Sequence, residues 1–278
     1  MLAVEIKSIE NINKYDCDII IIPTIFSSSK NSLKVDFSLM KTNKKIALNV
    51  DKIIEEDEIE SLKEFLKETL LWNVDYYFFS DMSVYYILNS YGVQNKFVLC
   101  SKTLCCSVND IKEYNKLGIQ CLVSTELTLQ NIIDISNINN NAFLIYGYSN
   151  IFYSKRKLIT LFEKQFNYKS NKSDCYIVEE TRKEKYPITE TKNGTFIYTP
   201  YRYYLFEEMK QIDKNNIFII ASDLLTEDEV LKVSKIYYRS FENNFNNKYL
   251  IKLKNLNDNI NHHFLYIRPS ILKETNNE

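Results

Sequence analysis

The chain has 278 residues, enough for a full hydrophobic core in one large domain or two smaller ones. Hydrophobic residues make up 45% and charged residues 26%, and a net charge of −1 exerts no global pull toward nucleic acid or a membrane. With glycine only at positions 92, 118, 147 and 194, there is no Gly-x-Gly-x-x-Gly and no P-loop, which argues against nucleotide sites of either kind.

Short apolar runs at residues 2–6, 18–22 and 45–50 read as strands, the second ended by Pro23. Residues 55–72 read as a helix, because Ile59, Leu62, Phe65, Leu66 and Leu70 recur at helical spacing. Strands at 75–79, 96–100, 119–123 and 142–146 then alternate with helices at 82–91, 108–117, 127–135 and 156–166. Gly118 is a good helix C-cap, and Thr128 fits an N-cap region. The alternation breaks at about 175–199, where two strand-like runs flank Lys192-Asn193-Gly194-Thr195; Asn-Gly is a strong hairpin signal. Residues 201–212 read as a helix and 217–221 as a buried strand. The helix at 226–245 opens with Thr226 and Glu229 in capping-box spacing. The tail from Lys248 is rich in Asn and Lys and reads as loosely packed, with 263–267 as a candidate edge strand.

The eight main strands are mostly continuous apolar runs, as parallel strands covered on both faces are. They predict a (β/α)8 TIM-barrel-like α/β fold, with a doubly wound open sheet as the rival. The predicted organisation is a single barrel domain over 1–247, a hairpin insertion at about 173–200 between the seventh and eighth strands, and a polar tail over 248–278. Residues just after each strand would share one mouth. They are Asn49, Asp81, Ser101, Ser124 to Glu126, Gly147 to Asn150, and Ser222 with Asp223.

Six cysteines, at 17, 100, 105, 106, 121 and 175, contain no Cys-x-x-Cys pair, and no secretory leader is visible. Free thiols in a cytoplasmic protein fit that pattern, with no membrane association and no DNA partner expected. The histidines, His262 and His263, lie in the tail, so a His-based triad or zinc site would have to use the C-terminus.

Several segments resemble, in order, those of the collagenase-like peptidase family U32. KIALNV carries Asn49 near its close, YFFSD ends in Asp81, and CLVSTELTLQNI places Glu126 at a shared Glu. FLIYGYSNIFYSKRKLI is similar to the family's loop segment, and VEETRKEKYPITETKNGTFI resembles an acidic EE-x-R flank leading into a YPI hairpin. The resemblance implies a barrel and either peptidase activity or, in a cysteine-lacking bacterial subgroup, participation in tRNA wobble-uridine 5-hydroxylation by prephenate-linked chemistry. Family members regarded as active carry cysteines, several of which ligate an iron–sulfur cluster. Here Tyr146 stands at the family's His, Asn150 or Ile151 near its first Cys, and Lys157 at a later Cys. Cys175 alone cannot supply four thiolates, so no cofactor is expected.

The cations Lys155, Arg156 and Lys157 open a predicted helix, where positive charge is locally unfavourable; they read as anion ligands or as a solvated run. Glu126 reads as a proton-transfer group or as a carboxylate stabilised by the next helix, and Asp81 as a ligand or a cap. Asn49, Glu180 and Arg182 complete the candidate substrate-binding set. The open functional readings are a divergent enzyme binding an anionic small molecule, a non-catalytic partner of a cluster-bearing paralogous subunit with tRNA bound directly or through that partner, and a protease.

Overall fold

A computed structural model describes residues 1–28, 32–33, 40–101, 105–138, 140–170, 175–181 and 183–267. Eight parallel strands close into a barrel. They are β1 (Leu2–Glu5), β2 (Ile19–Pro23), β3 (Lys45–Val50), β4 (Tyr76–Phe79), β5 (Phe97–Leu99), β6 (Ile119–Val123), the first half of β7 (Ala142–Ser154) and β11 (Ile217–Ile220). Closure comes from β11, which pairs in parallel with β1 through Leu2 and Phe218 and with β7 through Ala142 and Ile217. The doubly wound alternative is thereby excluded.

The alternation of side chains explains why these runs are apolar throughout. Leu2, Val4, Ile20, Leu48, Phe79, Leu99 and Phe218 face outward into the core shared with the helices. Ala3, Ile19, Ile21, Ala47, Phe78, Val98, Cys100 and Ile219 form a second cluster inside the barrel. Both faces of each strand are therefore buried, as parallel sheets require. The helices are α1 (Ile59–Thr69), α2 (Met82–Ser90), α3 (Val108–Lys116), α4 (Leu129–Ser136), α5 (Leu158–Phe166), α6 (Glu227–Glu242) and α7 (Asn247–Leu256). Five are capped by side chains, Asp81, Ser107, Thr128, Thr226 and Asn246 accepting from first-turn amides. Between β1 and β2 the chain makes only a short 3-10 turn at Ile12–Lys14.

The insertion is larger than a hairpin. Strand β7 runs 13 residues, continuing beyond the barrel, and pairs with β10 (Gly194–Tyr204), which pairs with β9 (Lys185–Thr191) and that with β8 (Cys175–Val178), all antiparallel. The segment predicted as a helix at 201–212 instead finishes β10, with only a 3-10 turn at Glu208–Lys210. Pairing of Arg202, Tyr203 and Tyr204 with Tyr148, Gly147 and Tyr146 overrides the local helical signal. The tail also differs from expectation. α7 buries Leu250 and Leu253, and β12 (Ile260–Asn261) pairs with β10. Residues 263–267 form turns, and His263 has a left-handed φ of 54°, which breaks an extended strand.

The Asn-Gly turn joins β9 and β10 as the sequence indicates, with Gly194 opposite Thr191. Gly194 has φ +127°, and a Cβ there would lie 2.3 Å from the Ser154 carbonyl oxygen. Gly194→Ala should therefore destabilise the insertion by about 2 kcal/mol or more. Thermal unfolding and limited proteolysis check this; unchanged protease resistance of the insertion would contradict it.

Candidate functional site

The interior positions at the carboxyl ends of the strands form the floor of the mouth. Glu5 ends β1, Asn49 lies near the end of β3, and both line a cavity of about 120 Å³ together with Phe78, Cys100, Leu122 and Ile219. The insertion supplies the roof. Tyr198 of β10 lines the same cavity, and at the turn Asn193 donates from Nδ2 to the Ser27 carbonyl at 3.0 Å, anchoring the hairpin across the mouth to the segment after β2. A second cavity of about 270 Å³ adjoins the first, sharing Ser28, Asp51, Cys100 and Asn150, with Lys52 and Asn193 also on its wall.

Glu5 is 7% exposed in this floor. Its Oε2 accepts from the Ser222 amide at 3.0 Å and the Ser222 hydroxyl at 3.1 Å, and its Oε1 accepts from Asn49 Nδ2 at 3.4 Å. Burial first, then the negative charge of Asp223 and, more weakly, Asp51, push its pKa up to about 7 against the lowering effect of Ser222. Asn49 Oδ1 is shielded from solvent and has no hydrogen-bond partner. The Tyr198 hydroxyl donates to Asp223 Oδ2 at 3.3 Å, and burial together with Asp223 holds its proton well above the ordinary phenol range. Asp51 accepts from the Ser28 amide and hydroxyl, both at 2.7 Å. A carboxyl group that titrates near neutrality can donate a proton or take one, which is the chemical capacity of this floor.

Behind the wall lies a charge network. Arg202 of β10 binds Glu229 of α6 through Nε at 2.6 Å and Nη2 at 3.0 Å, and its guanidinium lies 4.9 Å from the ring centroid of Tyr148. The Tyr146 hydroxyl donates to the same Glu229 carboxylate at 2.8 Å. The capping box at α6 is thus half made: Thr226 accepts from the Glu229 amide, while the Glu229 side chain turns to Arg202.

Of the candidates from sequence, Asn49 lines the cavity. Asp81 caps α2 by accepting from the Ser83 amide at 2.9 Å, and its other oxygen accepts from the Ile54 amide. Glu126 is exposed, and its amide donates to Ser124 Oγ. Lys155, Arg156 and Lys157 are exposed and lie outside the cavity lining, because β7 extends to Ser154 before α5 begins. Lys155 pairs with Glu55, and Glu190 accepts from the Thr160 amide and hydroxyl at 2.9 and 2.5 Å, so a carboxylate of the protein already occupies the start of α5. Glu180 is exposed in a turn, and Arg182 lies outside the described residues. His262 meets the Tyr204 carbonyl and His263 the Tyr201 hydroxyl, which engages both Nδ1 atoms with β10.

Sequence reasoning missed Glu5, Asp51 and Tyr198. The usable signal for Glu5 was a charge inside the otherwise apolar run 2–6.

Residues 29–267, most of the barrel and the whole insertion, match the family described as peptidase family U32. The chain belongs to peptidase family U32. It is similar to tRNA hydroxylation protein P2 of Bacillus subtilis (strain 168), with 24% identity over 216 residues, covering 73% of this chain and 69% of that protein. No solved structure gives a significant match. For a U32 member the donor set matters: among the described residues, no three Cys, His, Asp or Glu side chains converge as metal ligands. Cys175 lies on β8, whereas Cys100 lines the mouth and Cys105 and Cys121 are buried beside one another. These residues do not fit the four-thiolate set of an iron–sulfur cluster. Among the described residues no helix is long and apolar enough to cross a membrane.

Proposed function

We propose that this U32 protein takes part in tRNA wobble-uridine 5-hydroxylation, as the partner of a cluster-bearing member of the same family. The observation that carries the reading is the similarity to a protein named for tRNA hydroxylation, extending over more than two thirds of both chains. The thiolates support the partner role. Chemistry that depends on a cluster would have to come from a chain that can ligate one, and this chain keeps the barrel and the roofing insertion without a converging ligand set among the described residues.

Under this reading the exposed cations Arg156 and Lys157, just past the end of β7, are offered to RNA phosphates. Phosphate contacts of this kind position the RNA and make binding salt-dependent. The mouth itself, floored by Glu5 and Asn49, is reserved for smaller molecules.

The test is mass spectrometry of 5-hydroxyuridine-derived nucleosides in tRNA from strains lacking this gene, lacking a cluster-bearing family member, or lacking both. Reduced modification on loss of this gene alone, with no further loss once the cluster-bearing member is also absent, is the expected result. Unchanged modification on loss of this gene alone would overturn the reading.

A further inference from the structure

The mouth cavity carries a charge pattern that the tRNA reading does not use. Three carboxylates line it, from Glu5, Asp51 and Asp223, and among the described residues no lysine, arginine or histidine does. Of the cations around it, Arg202 is committed to Glu229 in a two-point pair, Lys52 to Glu58, and Lys7 donates to the Ser222 carbonyl at 3.2 Å. Asn49 also lines the cavity, and its carbonyl oxygen is shielded from solvent and has no hydrogen-bond partner. Its remaining surface is mainly apolar and aromatic, including Phe78 and Tyr148.

We propose that this mouth is a receptor for a small organic cation, a protonated amine carried on an apolar or aromatic body. The inference stands apart from the tRNA reading and does not depend on it. An ammonium group has three donors, which suit the Asn49 carbonyl and the neighbouring carboxylates. A cleft with low-dielectric walls and charges of one sign concentrates its field on the opposite charge. A bound cation would offset the mutual repulsion of Glu5, Asp51 and Asp223, whereas a carboxylate or phosphate in the same place would add to it. Aromatic walls add an attraction for cations that they do not offer to anions. The positions of the carboxylates are set in advance. Ser222 holds Glu5, Tyr198 donates to Asp223, and Ser28 holds Asp51. The divergent-enzyme reading placed an anionic small molecule at Arg156; the mouth argues for a ligand of the opposite charge.

Three probes with the same phenylethyl body separate charge from size: 2-phenylethylammonium, 2-phenylethanol and 3-phenylpropanoate, titrated calorimetrically into the full chain near neutral pH. The ammonium is expected to bind about tenfold more tightly than the alcohol, with no binding of the carboxylate. Glu5→Gln and Asp223→Asn are each expected to weaken the ammonium by about fivefold or more while the chain unfolds as cooperatively as the wild type. Equal binding of the alcohol, binding of the carboxylate, absence of ammonium binding, or ammonium affinity unchanged in both variants would each overturn the proposal.

Discussion

Glu5→Gln is expected to make the protein more stable, by about 3 kcal/mol above neutral pH. In the folded chain Glu5 titrates at about 7, against an ordinary value of 4.5. Between those values the native state keeps a proton that the unfolded chain has released. Stability therefore falls as pH rises from about 4.5 to about 7, and the full loss persists above that range. The groups responsible face Glu5 from separate strands and loops. Asp223 follows β11, Asp51 follows β3, and Ser222 and Asn49 donate hydrogen bonds that offset only part of the cost. Glutamine keeps the shape and the acceptor for Ser222 but carries no charge to bury. Urea denaturation across this pH range checks the sign: the wild type should lose stability with rising pH, and the variant should lack this component. A variant less stable than wild type above neutral pH would contradict the assignment. A side chain that weakens the fold where it stands is the pattern of a residue kept for function.

Glu229→Ala has the opposite sign, with an expected cost of about 3 kcal/mol. The side chains of Arg202 and Glu229 are only 14% and 12% exposed, and their two-point pair links α6 to β10, thereby tying the insertion to the barrel. Removing the carboxylate leaves a guanidinium shielded from water with Tyr148 as its remaining hydrogen-bond acceptor, and it takes away the acceptor of Tyr146. Replacing both partners by apolar residues, as Arg202→Met with Glu229→Leu, should recover much of the loss, because the penalty lies mainly in the stranded charge. A single-variant cost below about 1 kcal/mol in urea denaturation would show that water reaches the pair and screens it.

The barrel was legible because burial on both faces leaves a plain mark, a continuous apolar run, and the Asn-Gly turn marked the insertion. What was not legible depended on remote partners. Strand β7 was expected to stop at 146, yet it runs to Ser154 because β10 extends the ladder. That extension carries Lys155 to Lys157 away from the mouth on which the sequence had placed their neighbours. The helical signal over 201–212 yielded to the same pairing. Local rules assigned Glu229 to a cap, while its charge answered to Arg202, distant in sequence. The floor of the mouth was half legible. Asn49 could be placed by its position after an apolar run, but Glu5 drew no notice, since a lone charge in a strand reveals its role only when closure of the barrel brings Asp223 and Asp51 to it. In the tail, Leu250 and Leu253 were too few against the Asn and Lys background to predict the packing of α7.

The central claim is that this chain acts in tRNA hydroxylation together with a cluster-bearing relative. It is tested most directly in a strain lacking both genes, by returning each gene singly and then the two together and measuring 5-hydroxyuridine-derived nucleosides in tRNA. The account predicts no recovery with this chain alone and greater recovery with the pair than with the relative alone. Recovery by the relative that is the same with and without this chain, or recovery by this chain alone, would contradict it.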